Sequence, residues 1–283
     1  MKNWIISSVL LLFLTACTNN NMVEDTNNKQ DNEEPVIDME TDVEENPSSP
    51  EDNNDEIVDS PVTDEQNEKE QINISPQYKI SGDWSIVPID NANPKVVLLT
   101  IDDAPDRYAL HMAETLHTLG VKAIFFVNGH FLDTEEEKKV LKEIHRLGFP
   151  IGNHTMTHKR LSTISEEEQK SEIVELNNVV EEIIGERPKF FRAPFGVNTD
   201  YAKEIVKDEG MLLMNWSYGY DWEPDYKTKE TITEIMVNAP ELRDGANLLM
   251  HDREWTSEAI EDIVVGLQDK GYEIVDPDLI ETP

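Results

Sequence analysis

"VVLLTIDDAPD" (96–106) is the stretch that decides the fold. Its apolar first half predicts a strand that is buried on both faces, which is typical of a parallel sheet. The strand runs directly into Asp102 and Asp103, two neighbouring carboxylates that repel each other if both face the interior. Asp and Pro are also common turn residues, so an ordinary turn is the alternative interpretation at this point.

Strand-like and helix-like segments alternate from about residue 79 to the end of the chain. The strand-like segments are 95–101, 121–127, 149–153, 189–192, 211–216, 246–251 and 272–275. The helical segments are 107–120, 134–148, 165–185, 199–210, 229–239 and 256–271. Such alternation predicts an α/β fold with a parallel sheet and helical crossovers. About seven repeats in roughly 200 residues favour a (β/α) barrel, although periodicity alone also allows an open sheet.

Two of these helices carry clear signals at their first residues. Thr134 and Glu137 have the spacing of a capping box, and Ser165 and Glu168 repeat it. The second of these helices also carries an apolar face at helical spacing. That face consists of Ile173, Leu176, Val180 and Ile183.

The first 17 residues read "MKNWIISSVLLLFLTAC". Lys2 followed by a short apolar run predicts a signal peptide over residues 1–16 rather than a membrane-spanning helix. "LTAC" resembles a bacterial lipobox, which predicts lipidation of Cys17 and anchoring at the extracytoplasmic face of a bacterial cell membrane. The alternative is an ordinary signal peptide that contains a cysteine.

Residues 18–75 differ in composition from the rest of the chain. They contain 19 acidic residues against 2 lysines, and no Gly, Phe, Trp or Tyr. Low hydrophobicity with high like charge predicts a disordered, extended tether. We therefore expect a lipidated cysteine and acidic linker over 17–78, followed by one folded domain over 79–283.

The composition excludes several classes of protein. The 283 residues carry a formal charge of −35, which argues against binding nucleic acid through a basic surface. The single cysteine excludes an intramolecular disulfide framework and a zinc cage built from thiolates.

Polar residues follow the predicted strands where the strands end. They are Asp102, Asp103, His154, His158, Arg192, Asp221 and His251. The carboxyl ends of the strands in a parallel barrel share one face, and functional sites are built there. This placement favours a site over the ordinary turn at Asp102 and Asp103.

The residue types in this set point to a metal. One Asp and two His form a three-ligand set for Zn²⁺ or a similar divalent ion, with an open position for water. The histidines of "HTMTH" (154–158) lie four residues apart and can reach one ion, although an exposed pair on a loop is the alternative. A cation would neutralise two adjacent carboxylates, with one Asp bound and the other free beside it as a base. Alternation along an extended strand would let the two Asp side chains face different partners.

Five motifs occur in a fixed order, namely "TIDDAPD", "NHTMTH", "FRAPFG", "GYDW" and "LLMH". In this order they resemble the motifs of the polysaccharide deacetylases of carbohydrate esterase family four, over about residues 95–278. The resemblance implies a distorted (β/α) barrel and metal-dependent removal of acetyl groups from polysaccharides. It makes 79–283 a polysaccharide deacetylase catalytic domain, preceded by the disordered acidic tether.

The resemblance also implies roles for individual residues. Asp102 would be the general base, held by Arg192, and His251 would be the general acid, oriented by Asp221. One divalent ion, with Zn²⁺ as first choice and Co²⁺ or similar as the alternative, would bind to Asp103, His154 and His158. The substrate would contact the backbone N–H of Phe195 and the side chains of Trp222 and Leu249.

Other interpretations stay open for some of these residues. Arg192 could be an ordinary surface ion-pair residue, and Trp222 could equally be a core aromatic. We expect Trp216 to lie in the core. Four histidines lack a motif and are expected to be structural or solvated. They are His111, His117, His130 and His145.

Two positions depart from the family pattern. Ala104 replaces the glycine that follows the Asp pair, which would be costly if this position needs a positive φ. Tyr218 replaces the first Asp of the fourth motif. This leaves the partner of His251 open and suggests a pocket altered by Tyr218 and Tyr220.

We therefore expect a monomeric, lipid-anchored hydrolase acting on N-acetylated polysaccharide. Anchoring outside the membrane makes cell-wall peptidoglycan, or a related N-acetylglucosamine polymer, the first choice, with chitin-like oligomers and acetylated xylan as alternatives. A catalytically inactive glycan-binding relative and a metal-binding transport lipoprotein are the rival classes.

Overall fold

The computed structural model of the protein describes residues 75–283. The predicted signal peptide, Cys17 and the linker as far as residue 74 lie outside the described residues. The described chain opens with an antiparallel hairpin formed by β1 (Tyr78–Ile80) and β2 (Ile86–Pro88). Among residues 75–283, no helix combines the length and apolarity needed to cross a bilayer.

Seven further strands form one parallel sheet. They are β3 (Val96–Ala104), β4 (Ile124–Val127), β5 (Ile151–Asn153), β6 (Phe190–Phe191), β7 (Leu212–Leu213), β8 (Ala246–His251) and β9 (Glu273–Ile274). Their order in the sheet is β7-β6-β5-β4-β3-β8, and β9 pairs with β3. The helices between them are α1 (Ala109–Thr118), α2 (Glu135–Arg146), α3 (Glu166–Ile184), α4 (Asp200–Asp208), α5 (Lys229–Asn238) and α6 (Glu254–Asp269). The predicted α/β fold is confirmed.

Strand β3 is buried on both faces because the two faces pack into different clusters. Val97, Leu99 and Ile101 join the larger core cluster with residues of α1, α2, α3, α5 and α6. Val96 and Leu98 point the other way and join a second cluster with residues of the hairpin, β4 and β6. The uninterrupted apolar run therefore reflects a strand at the centre of a layered fold.

The sheet curls, and the chain after β7 reaches β8 to give a distorted barrel. Tyr218 forms an isolated parallel bridge with Leu248, and its carbonyl accepts the backbone N–H of Leu249 at 2.8 Å. The strand expected over 211–216 is only Leu212–Leu213. The carbonyl of Asn215 accepts instead from the side chains of Arg192 and Asn247, so this backbone leaves the regular ladder.

Both predicted capping boxes are present at the helix N-termini. Thr134 and Glu137 exchange side-chain and backbone hydrogen bonds before α2, and Ser165 and Glu168 do so before α3. The apolar face expected on α3 is buried: Leu176, Val180 and Ile183 join the larger core cluster, and Ile173 joins a third cluster with residues of β6 and α4. The capping boxes therefore fix where α2 and α3 begin.

Candidate active site

A cavity of about 450 Å³ lies where the carboxyl ends of the strands meet. Its lining consists of Asp102, Asp103, His154, His158, Phe195, Trp216, Trp222, Leu249, His251 and Arg253. Arg192 and Asp221 are fully buried behind this lining and contact it through hydrogen bonds. All residues predicted for the site are thus brought together at one end of the barrel.

The two adjacent carboxylates converge on the same point of the cavity. Asp103 adopts a φ of 61°, and the pairing of β3 with β4 shifts register between Ile101 and Ala104. The left-handed residue interrupts the alternation of side chains along the strand. The two carboxylates still have different partners, because Arg192 binds Asp102 and the two histidines group with Asp103. Asp Oδ atoms of both residues lie within 4 Å of His154 Nε2, at 3.6 Å for Asp102 and 3.9 Å for Asp103.

Asp103, His154 and His158 form a compact donor set. Their candidate ligand atoms all lie within 4.8 Å of one another, and His158 Nε2 is 3.5 Å from Asp103 Oδ1. His154 Nδ1 lies 2.7 Å from the Arg192 carbonyl, which can only accept a hydrogen bond. The proton therefore sits on Nδ1, and Nε2 faces the cavity with a free lone pair. One carboxylate and two imidazoles in this arrangement fit a divalent transition metal such as Zn²⁺.

The protonation of the donor set is suited to a cation. Burial, together with the nearby His154, lowers the pKa of His158, so that the neutral form that can ligate is favoured. Burial alone would raise the pKa of Asp103, but the positive groups around it outweigh burial and lower the pKa. Both shifts favour the ligating forms at neutral pH.

Arg192 fixes the other carboxylate from behind. Its Nη1 donates to Asp102 Oδ1 at 2.6 Å and to Thr100 Oγ1 at 2.7 Å. Arg192 is completely buried, and its guanidinium stacks 4.3 Å from the ring centroid of Phe126. The interpretation as a surface ion-pair residue is therefore wrong. Because Oδ1 of Asp102 is engaged, Oδ2 is the oxygen that faces His154 and the cavity.

His251 ends β8 and is paired with Asp221. Its Nδ1 lies 2.7 Å from Asp221 Oδ1, and its backbone N–H donates to Oδ2 at 2.6 Å. Thr256 also donates to Oδ2, at 2.8 Å. Burial of the ring opposes its charged form, but the Asp221 carboxylate and the Asp pair outweigh burial and raise the pKa of His251. The partner of His251, which the sequence left open, is therefore Asp221.

Aromatic side chains form the walls of the cavity. Phe195 is 55% exposed and packs edge-on to His158, with 4.9 Å between ring centroids. Trp222 is 41% exposed and lies edge-on to His251 at 5.4 Å. Trp222 is thus a wall residue and not a core aromatic, and the nearly buried Leu249 also lines the cavity.

Comparison with known proteins agrees with this geometry. The sequence profile of the family described as polysaccharide deacetylase matches residues 89–214. A peptidoglycan-N-acetylglucosamine deacetylase of Bacillus cereus is 30% identical over 190 residues, which cover 63% of this chain and 68% of the relative. The chain belongs to the polysaccharide deacetylase family.

Two further members of this family show the range of the similarity. The peptidoglycan-N-acetylmuramic acid deacetylase PdaC of Bacillus subtilis is 31% identical over 188 residues, and the match spans only 38% of its length. A solved structure of a carbohydrate esterase family four pseudoenzyme from Bacillus anthracis is 28% identical, with a TM-score of 0.58. That match covers 64% of this chain and 63% of the pseudoenzyme.

The two departures from the polysaccharide deacetylase pattern lie outside the lining of the cavity. Ala104 lies inside β3 with its side chain buried, and the positive φ of this turn falls on Asp103. Tyr218 is buried in the core, where its hydroxyl donates to the Met236 carbonyl at 2.6 Å. Tyr220 packs against Tyr226 and donates to Glu241. Neither Tyr218 nor Tyr220 is among the residues that line the cavity, and an effect of these residues on the pocket stays a prediction.

Two lining residues were missed from the sequence. Trp216, which was expected in the core, is only partly buried and lines the cavity. Arg253 follows the fifth family motif by two residues, and its Nη2 donates to Asp103 Oδ2 at 2.8 Å. Position next to a strand-end histidine was the one available signal for Arg253.

The four histidines without motifs lie outside the donor set, as expected. His111 and His117 are exposed on α1, and His145 lies 3.4 Å from Glu186. His130 is exposed, and its ring contacts Phe131 at 4.1 Å between centroids.

Proposed function

We propose that this protein hydrolyses acetyl groups from an N-acetylated polysaccharide in a metal-dependent reaction, with peptidoglycan as the first-choice substrate. The observation that carries the proposal is the Asp102–Asp103 pair, in which one carboxylate joins two histidines and the other is held by a buried arginine. The names of the peptidoglycan deacetylases of Bacillus support the choice of substrate class.

Asp103, His154 and His158 would hold the divalent ion. When bound, the ion supplies Lewis-acid polarisation of a carbonyl and makes a nearby water a stronger nucleophile. The remaining chemistry belongs to side chains and backbone groups of the chain itself.

Asp102 is suited to take a proton from the attacking water. Its Oδ2 faces the cavity 3.6 Å from His154 Nε2, while Arg192 holds Oδ1. This geometry directs one oxygen at the water and prevents rotation of the carboxylate, as a general base requires. The backbone N–H of Phe195 is the donor that we assign to the negative oxygen of the tetrahedral intermediate.

His251 is suited to protonate the leaving amine. Its Nδ1 is engaged with Asp221, so Nε2 is the nitrogen left to deliver a proton. Because its pKa is raised, the imidazolium form that serves as an acid persists to higher pH. Collapse of the intermediate then releases acetate and the free amine of the sugar.

The anchor at Cys17 remains part of the proposal. A lipidated cysteine followed by a long acidic tether would place the enzyme beside the cell wall outside the membrane, which supports peptidoglycan as substrate. We propose a monomer that contacts the membrane through this lipid alone.

Acetate release tests the proposed function. The full chain is stripped with a chelator and assayed on peptidoglycan, chitooligosaccharide and acetylated xylan, with and without Zn²⁺ or Co²⁺. We expect metal-dependent acetate release, greatest on peptidoglycan. His158→Ala should abolish it, and His117→Ala, an exposed histidine on α1, is the matched control. An inactive glycan-binding relative, or a metal transport lipoprotein, would release no acetate from any substrate in the presence of metal.

A further inference from the structure

Arg253 is a lining residue of the cavity that none of the five family motifs includes. It lies between His251, which ends β8, and Glu254, the first residue of α6. Its side chain is 36% exposed, whereas that of Asp103 is 15% exposed. Arg253 is therefore the more solvent-exposed partner of Asp103 in the lining of the cavity.

The guanidinium of Arg253 is held by two acceptors. Its Nη2 donates to Asp103 Oδ2 at 2.8 Å, and its Nη1 donates to the backbone carbonyl of Asp252 at 3.0 Å. The second acceptor is itself fixed, because the buried Asp252 carboxylate accepts the backbone N–H groups of Asp106, Arg107 and Tyr108. Arg253 is thus placed by the loop that directly follows the Asp pair.

The two oxygens of Asp103 consequently have separate partners. Oδ2 accepts from Arg253, and Oδ1 faces His158 Nε2 at 3.5 Å and His154 Nε2 at 3.9 Å. A carboxylate held through one oxygen presents the other in a fixed direction. Outer hydrogen bonds of this kind orient a ligand and raise metal affinity.

We propose that Arg253 is a positioning residue that makes Asp103 ligate through Oδ1 alone and thereby strengthens binding of a divalent metal. The inference rests on the proposed metal site. Each carboxylate of the pair then has its own arginine: Arg192 orients Asp102 as a base, and Arg253 orients Asp103 as a ligand.

A positive group beside a cation site also repels the cation. Whether removal of Arg253 weakens or strengthens metal binding therefore depends on which effect is larger. The charge of Arg253 repels a metal ion, so removal of Arg253 would tighten binding if repulsion dominated. The guanidinium is paired with Asp103 and partly solvated, and both features weaken its repulsion of the ion. Orientation therefore outweighs repulsion, and removal of Arg253 weakens binding.

Metal affinity measured on the full chain tests this inference. The metal-free protein is titrated with Zn²⁺ in competition with a chromophoric chelator. Arg253→Met should raise the Zn²⁺ dissociation constant by about 10–100-fold, as is usual when an outer partner of a ligand is lost. Arg107→Met removes a charge from an exposed side chain on the neighbouring loop and should leave the constant unchanged. Arg253→Gln keeps a shorter, uncharged donor and should fall between Arg253→Met and the wild type.

A double-mutant cycle separates positioning from a general loss of stability. In an Asp103→Asn background, Arg253→Met should cause no further loss of Zn²⁺ affinity, because its partner is already absent. Equal affinity in wild type and Arg253→Met, tighter binding in Arg253→Met, or fully additive losses would each overturn the inference. A wild-type chain that binds no Zn²⁺ would instead refute the proposed function itself.

Discussion

His251 and Asp221 are joined by two hydrogen bonds, one to each carboxylate oxygen. The imidazole Nδ1 uses Oδ1, and the backbone N–H of the same histidine donates to Oδ2. Both the ring and the backbone of His251 are therefore fixed by one buried carboxylate. This pairing leaves Nε2 toward the cavity and links the fourth and fifth family motifs.

The first prediction concerns the pH dependence that follows from this pair. An acid with a raised pKa stays protonated to higher pH, and activity is lost as pH rises through that pKa. Asp221→Asn removes the group that raises the pKa, so the basic limb of the kcat profile should move to lower pH. Asp225→Asn, at an exposed residue four positions on, is the control and should leave the limb in place. An unchanged basic limb in Asp221→Asn would remove Asp221 from this role.

The second prediction concerns the buried ion pair of Arg192 and Asp102. Arg192→Met leaves Asp102 without its charged partner, because both side chains are almost completely buried. We expect a loss of about 3–5 kcal/mol in the free energy of unfolding, measured by denaturant titration of the metal-free chain. Arg146→Met, which removes a largely exposed pair with Glu143, should cost only about 0–1 kcal/mol. Equal losses in the two variants would contradict a structural role for the Arg192–Asp102 pair.

The third prediction concerns Cys17, which lies outside the described residues. If Cys17 carries the lipid, Cys17→Ala should move the protein from the membrane fraction to the soluble fraction, since firm anchoring needs the acyl chains. Turnover of the released protein should equal that of the wild type. Fractionation and acetate release measure the two effects. A Cys17→Ala protein that stays in the membrane fraction would point to another anchor.

Much of the fold could be predicted from local signals. The two capping boxes and the apolar run of strand Val96–Ala104 are features of the local sequence. The boundaries of α2, α3 and β3 could therefore be predicted to within a few residues. Strand β7 was overestimated because its extension depends on which distant side chains donate to the carbonyl of Asn215. The β1–β2 hairpin was missed because its two strands are only three residues each.

The candidate site shows the same division between local and distant causes. Residues at strand ends, such as His154 and His251, could be placed because parallel strands share one carboxyl end. The position of Asp103 could not, since its φ of 61° follows from the irregular pairing of β3 with β4. Arg253 and Trp216 were missed because their roles depend on side-chain direction across the cavity and not on a motif.

The central claim is that Asp102 acts as a base and Asp103 as a metal ligand, although they are adjacent and chemically identical. Both carboxylates reach the same point of the cavity, so geometry divides them by partner: Arg192 holds Asp102, whereas Asp103 faces both histidines. The measurement that tests this claim most directly is Zn²⁺ titration combined with steady-state kinetics on Asp102→Asn and Asp103→Asn.

Asp102→Asn should keep its Zn²⁺ affinity and lose kcat by about 10²–10⁴-fold, with little change in KM, because a general base acts in the transition state. Asp103→Asn should bind Zn²⁺ more weakly, and excess metal should partly restore its rate. Loss of metal from Asp102→Asn with retention in Asp103→Asn would reverse the assignment, and full activity in both variants would contradict the account.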